Sequence, residues 1–141
     1  MSRINQADYF MGIAELVSKR ATCPRRQVGC VIVNSHNHII ATGYNGVPSK
    51  MAHCTDTPCG GQNYKSGEGL DSCMATHAEQ NALLQCPDIH QIDTIYVTTA
   101  PCNTCAKLIA NTSCKTLIYK SGYLNDGLDL LRSLGIRVCQ S

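Results

Sequence analysis

From Ile92 to Cys139, short apolar runs and helical periods take turns, and that alternation leaves few folds open. Ile92–Thr98 reads as a strand, Cys102–Ala110 as a helix and Thr116–Tyr119 as a strand. Leu124–Leu134 reads as a helix ending at Gly135, and Ile136–Cys139 as a last strand. Strands separated by helices favour parallel pairing, with the helices packed on the sheet. The first half carries a different pattern. Tyr9, Ile13, Leu16 and Val17 recur at helical spacing, which predicts an amphipathic helix over roughly residues 4–20. Val28–Val33 and Ile39–Thr42 flank the polar Asn34-Ser35-His36-Asn37 and predict a hairpin. His77 to about Cys86 reads as a helix stopped by Pro87. The order is then α-β-β-α-β-α-β-α-β, with helices on both faces of one sheet. Residues 43–75 hold Gly-Tyr-Asn-Gly, Pro48, Pro58 and Gly60-Gly61 without a period, and a loop this long needs something to fix it.

A chain of 141 residues is expected to form one domain over 1–141, long enough for a real core. Its net charge of +2, with the signs interspersed, gives no reason to expect a nucleic acid or membrane partner. No apolar run approaches a transmembrane span, and Met1-Ser2-Arg3-Ile4-Asn5 lacks a signal-peptide core. In that setting the ten cysteines point to metal binding or burial rather than to a disulfide framework, and the expected location is the cytoplasm.

His77-Ala78-Glu79 and Pro101-Cys102-Asn103-Thr104-Cys105 carry the chemistry. One histidine and two cysteines are three zinc ligands, one short of a closed tetrahedral site. The fourth corner is left for water, whose pKa Zn²⁺ can bring from about 15.7 to about 7. Glu79 is placed to shuttle its proton. Both motifs fall at predicted helix starts, where Thr76 suits a cap and Pro101 the first-turn region. The helix dipole there favours Cys102 and Cys105 as thiolates. Each motif also has an ordinary reading: Thr76…Glu79 matches a capping box, and Cys-x-x-Cys serves redox pairs and structural zinc sites. Their order and spacing together favour a hydrolytic deaminase.

His-x-Glu…Pro-Cys-x-x-Cys resembles the signature of the zinc-dependent cytidine deaminase superfamily. The chain looks like its deoxycytidylate (dCMP) deaminase branch of bacteria and their viruses. Thr22–Gly29, Gly43–Gly46, His77–Ala82, Pro101–Lys107 and Lys120–Tyr123 carry the likeness, over nearly the whole chain. It implies an α/β fold, a three-layer α-β-α sandwich around one mixed five-stranded sheet. It also implies Zn²⁺ on His77, Cys102 and Cys105, Glu79 as proton shuttle, and deamination of dCMP to dUMP with loss of ammonia. The Ala78 N–H would read the pyrimidine edge and Asn45 the sugar, although Asn45 also suits a plain turn. Arg26 and Lys120 are candidates for the 5′-phosphate, with Tyr123 lining the same pocket; each also suits an ordinary solvated side chain.

The resemblance further implies a structural zinc in the long segment, for which Cys23, Cys54, Cys59 and Cys73 are the candidate ligands, with His53 as substitute; buried free thiols are the alternative. Cys30, Cys86, Cys114 and Cys139 read as packing residues. Relatives with Gly-Tyr-Asn-Gly bind dCTP as activator and dTTP as inhibitor, the triphosphate with Mg²⁺, which makes Gly43, Tyr44, Asn45 and Gly46 candidate effector residues. Self-association as a homohexamer is also implied. Free-cytidine deaminases usually carry Cys at the position of His77. Transfer-RNA adenosine and guanine deaminases share His-Ala-Glu, but a charge of +2 hardly promises an RNA surface. Outside enzymes, the rival is a zinc-stabilised binding module with a closed four-ligand site.

Overall fold

The structure, a computed structural model, describes residues 2–23, 26–47 and 75–141. The described elements are α1 (Gln6–Ser18), β1 (Gly29–Val33), β2 (Ile39–Tyr44), α2 (Ala78–Gln85), β3 (Thr94–Thr99), α3 (Asn103–Ala110), β4 (Thr116–Ser121), α4 (Leu128–Ser133) and β5 (Arg137–Gln140), with a 3₁₀ turn at Ile89–Gln91. The sheet order is β2-β1-β3-β4-β5. β1 is antiparallel to β2 and β3, whereas β3, β4 and β5 run parallel, so the sheet is mixed. Consecutive βαβ units put α3 and α4 on one face, where α2 joins them. α1 covers the other face, giving three layers.

Side-chain alternation along the strands builds a core on each face. Cys30, Ile32, Ile95, Val97 and Leu117 point toward α2, α3 and α4, where Ala82, Ile109 and Leu131 meet them. Val31, Val33 and Tyr96 point the other way, onto Phe10, Met11 and Ala14 of α1. β1, buried along its whole length, reads as a continuous apolar run; β2, at the edge, alternates. In the hairpin, Asn34 Oδ1 accepts from His36 N and His38 N (2.9 and 3.0 Å), and Asn37 takes the left-handed conformation.

Local details depart from the sequence reading. α1 buries Phe10, Met11 and Ala14, while Tyr9 and Leu16 stay exposed at 48 and 66%. The stripe that meets the sheet lies a fraction of a turn from the one the larger apolar residues suggested. α4 begins at Leu128 rather than Leu124, because Asn125 is left-handed and Asp126 Oδ1 accepts the Leu128 N–H at 3.1 Å. α2 ends where predicted, with Cys86 extended before Pro87.

α2 lies almost against the backbone of β2. A Cβ at Gly43 would stand 2.4 Å from both the Ala78 carbonyl oxygen and the Ala82 nitrogen. Gly43→Ala should therefore force the two elements apart, costing about 1–3 kcal/mol in urea unfolding, as overpacking does. Gly12→Ala on α1, where the same atom meets nothing within 4 Å, should instead stabilise by about 0.4–1 kcal/mol. Equal effects at both positions would contradict this packing.

Candidate active site

Two helix starts converge on one point. α2 has His77 as its N-cap and α3 has Cys102. This corrects the predicted Thr76 cap and the predicted first-turn place of Pro101. Thr76 is taken up in a two-way backbone bridge with Gly46 (3.0 and 2.8 Å), and Pro101 precedes the cap of α3. At α2 it is Gln80 that reaches back, its Oε1 accepting from His77 N at 2.9 Å. Glu79 is therefore not spent in a capping box.

His77 Nδ1 lies 3.3 Å from Cys105 Sγ and 3.5 Å from Cys102 Sγ. All three donor atoms fall within 4.8 Å of one another. A tetrahedral Zn²⁺ with ordinary Zn–N and Zn–S bonds spaces such donors by about 3.6 Å, so the residues fit that ion without rearrangement. Among the described residues, these three donors would leave one tetrahedral corner open.

The three groups share protons as a cluster. Hydrogen bonding from the Cys105 thiol draws Cys102 down to about 4, with His77 and the Cys105 N–H assisting against the cost of burial. Cys105 moves far the other way, through the same bond to Cys102 and through burial. Its bond to Cys102 raises His77, which burial opposes. A metal ion binds the thiolate forms, so taking one up releases protons from this cluster.

Glu79 is 5% exposed, and burial raises its pKa above the ordinary carboxylate value, against bonds from its own N–H and from Cys105 and the attraction of His77. A buried carboxyl that resists ionisation is suited to giving and taking a proton. It lines one cavity with His77, Ala78, Cys102, Asn45, Arg26 and Tyr123. Ala78 is the first residue of α2, so its N–H has no partner within the helix.

The other predicted residues divide. Arg26 and Tyr123 come together, the guanidinium carbon lying 5.4 Å from the ring centroid, and the buried Tyr123 hydroxyl has no partner among the described residues. Lys120 goes elsewhere. On β4 it follows Ile118, which faces α1, so its side chain leaves on that face and pairs with Glu15 of α1. Cys23, 3% exposed, lines the cavity; Cys54, Cys59, Cys73 and His53 lie outside the described residues. Cys30 and Cys114 are buried in the core; Cys86 and Cys139 are half-buried. Gly43, Tyr44 and Gly46 form the end of β2 and the bridge to Thr76.

Two structural partners were not singled out in sequence. Asn81 Nδ2 donates to the Tyr44 carbonyl at 2.8 Å, tying α2 to β2. The turn at Asn125-Asp126-Gly127 holds the Tyr123 wall, and its Asn-Asp-Gly composition was the available signal.

Fold and cluster together are those of the zinc-binding nucleobase deaminases. A profile of the cytidine and deoxycytidylate deaminase zinc-binding region matches residues 4–121, and the chain belongs to that family. It is 38% identical over 138 residues to the deoxycytidylate deaminase of Schizosaccharomyces pombe, covering 94% of this chain and 42% of the yeast protein. With the deoxycytidylate deaminase of Mycobacterium phage D29 it shares 39% over 127 residues, 84% of this chain and 97% of the phage protein. The dCMP deaminase of cyanophage S-TIM5, crystallised with dCMP and dUMP, superposes with a TM-score of 0.78 at 30% identity, over the whole of both chains. The chain spans about two fifths of the length of the yeast relatives. Among the described residues, no helix is long and apolar enough to cross a membrane.

Asn45 is more than a turn residue. Its Oδ1 accepts from Val28 N at 2.7 Å and its Nδ2 donates to the Arg26 carbonyl at 2.9 Å. Asn45→Ala should leave the buried Val28 N–H unpaired and cost about 1–3 kcal/mol in urea unfolding; a loss under about 0.5 kcal/mol, typical of exposed sites, would show that the tether does not hold.

Proposed function

We propose that the chain is a dCMP deaminase, converting dCMP and water to dUMP and ammonia. The observation that carries this reading is the three-donor cluster beside a buried glutamate, with His77, Cys102 and Glu79 lining one cavity. The whole-length likeness to a phage dCMP deaminase crystallised with dCMP and dUMP supports the substrate.

In this reading His77, Cys102 and Cys105 hold Zn²⁺, which supplies Lewis acidity able to lower the pKa of water to about 7. Glu79 takes the proton from the attacking water, delivers it to N3 of the cytosine, and a further transfer to the departing amino group frees ammonia. Burial favours the protonated carboxyl that such a relay passes through. The N–H of Ala78, without a partner in the helix, reads the pyrimidine edge. Asn45 faces the sugar from the cavity wall. Arg26 and Tyr123 bind the 5′-phosphate, one through charge and the other through its unpartnered hydroxyl. Lys120 is left out of this set because its ammonium is engaged with Glu15 on the far face of the sheet.

Glu79→Gln should retain metal and fold yet lose about 10²–10⁴ in kcat, the usual contribution of general acid–base catalysis. The wild-type protein should deaminate dCMP far faster than deoxycytidine or dCTP, read by loss of cytosine absorbance. Glu79→Gln turnover above a tenth of wild type would remove the glutamate's role. Preference for the free nucleoside would remove the phosphate site.

The same reading extends to effector control by dCTP–Mg²⁺ and dTTP within a homohexamer. In its support, Gly43–Gly46 is bonded to the His77 end of α2 through Gly46–Thr76 and Asn81, a short path for coupling. Exposed Leu84 and Leu108 on α2 and α3 suit a subunit contact. Saturation with dCMP should be sigmoidal, becoming hyperbolic with dCTP–Mg²⁺, in a particle that sediments as six chains. Typical coupling changes affinity about 5–150-fold. Hyperbolic curves indifferent to both nucleotides, or a monomer, would leave Gly43–Gly46 as a turn.

A further inference from the structure

We propose that Asp126 and Gly127 are positioning residues, a joint that ties the pocket wall at Tyr123 to the Cys102 end of α3. The inference rests on the deaminase reading above for the roles of those two ends. The segment between β4 and α4 is pinned at both sides to the two residues before Cys102. Ala100 N donates to the Ser121 carbonyl at 2.7 Å, and Gly127 N donates to the Pro101 carbonyl at 2.7 Å. Between these points Asp126 organises the turn. Its Oδ2 accepts from Tyr123 N and its Oδ1 from Leu128 N, both at 3.1 Å. One carboxylate therefore sets the tyrosine backbone and the start of α4 together.

The glycine is required by space and not by conformation. Gly127 has φ −86° and ψ 7°, open to any residue. A Cβ there would stand 2.7 Å from the Cys102 carbonyl oxygen, 2.9 Å from that of Pro101 and 2.8 Å from Ala106 Cβ. The Cys102 carbonyl is also the acceptor of the first α3 bond, from Ala106 N at 2.8 Å. Any side chain at 127 must therefore move the peptide that carries the Cys102 sulfur, or move the turn that carries Tyr123. Contact with substrate at Tyr123 and the direction of a metal-ligating sulfur pass through the same few atoms.

The test separates a joint from plain turn packing. In the Co²⁺-substituted protein, Gly127→Ala should shift the sulfur-to-cobalt absorption and weaken Co²⁺ binding about 10–100-fold, the usual effect of disturbing a ligand's support. Asp126→Asn, which keeps size and one acceptor, should raise the KM for dCMP several-fold with little change in kcat. Asp126→Ala should raise it further. In a Tyr123→Phe background, Asp126→Asn should add almost nothing, because its effect acts through that hydroxyl. The idea is overturned by an unchanged cobalt spectrum and affinity in Gly127→Ala. It is equally overturned by an Asp126→Asn effect of the same size in both backgrounds. If Gly127→Ala does not fold, the Asp126 series decides. Cobalt binding is read without turnover, so a wild-type protein that deaminates none of the three cytosine compounds sinks the proposed function, and the spectrum still judges the joint.

Discussion

Everything at the site depends on two helices starting at the same place. An α-helix leaves its first N–H groups unpaired and its amino end partly positive. Aiming two such ends at one point costs nothing only if negative charge or acceptors fill it. His77 and Cys102, the two N-caps, and Cys105 one turn into α3 supply the donor atoms. The helices are eight residues each, too short to hold themselves in water. Their position is therefore a tertiary property, set by Ala82 and Ile109 packed on the sheet and by hydrogen bonds at their feet. The Thr76–Gly46 bridge and Asn81 hold one foot. The Gly127–Pro101 bond holds the other.

That arrangement also makes a buried Glu79 tolerable. A carboxylate taken out of water is costly unless it is bonded or neutralised. Glu79 meets its own N–H in the first turn of α2, the Cys105 side chain and the nearby His77, all of which favour its charged form, and burial still outweighs them. The net direction is upward, toward the protonated carboxyl. Cys30, buried on β1, is pushed up mainly by its own burial and further by the Glu79 charge, as suits a packing thiol.

What was legible in sequence follows from how local each constraint is. The order of elements and the parallel half of the sheet were readable because period and length are written residue by residue. The convergence of His77, Cys102 and Cys105 as candidate metal donors was readable because they sit at helix starts, and caps are local. The fate of Lys120 was readable in principle and missed. β-strand parity puts it on the α1 face with Ile118, whereas the site lies on the face of Leu117. The α1 stripe was misjudged because Phe10, Met11 and Ala14 win their place through fit to the sheet, and helix periodicity alone does not distinguish them from Tyr9 and Leu16. The limits of α4 depended on an Asp126 side chain bonding across its own turn, which competes with helix formation and is invisible to periodicity.

Selectivity is built from different material than reactivity. The reactive atoms come from two helix ends whose geometry the core dictates. The wall that would read the rest of a nucleotide comes from segments without repeating structure: Arg26 ahead of β1 and Tyr123 after β4. Each needs its own tether, and each has one. Asn45 grips the backbone on both sides of residue 27, and Asp126 grips the amide of Tyr123. The stacking of Arg26 on Tyr123 joins the two tethers across the cavity. A guanidinium held over a ring gives up rotamer freedom before any ligand arrives, so ordering it on binding costs less. Among the described residues the buried Tyr123 hydroxyl has no partner, a small standing cost that a ligand oxygen would relieve.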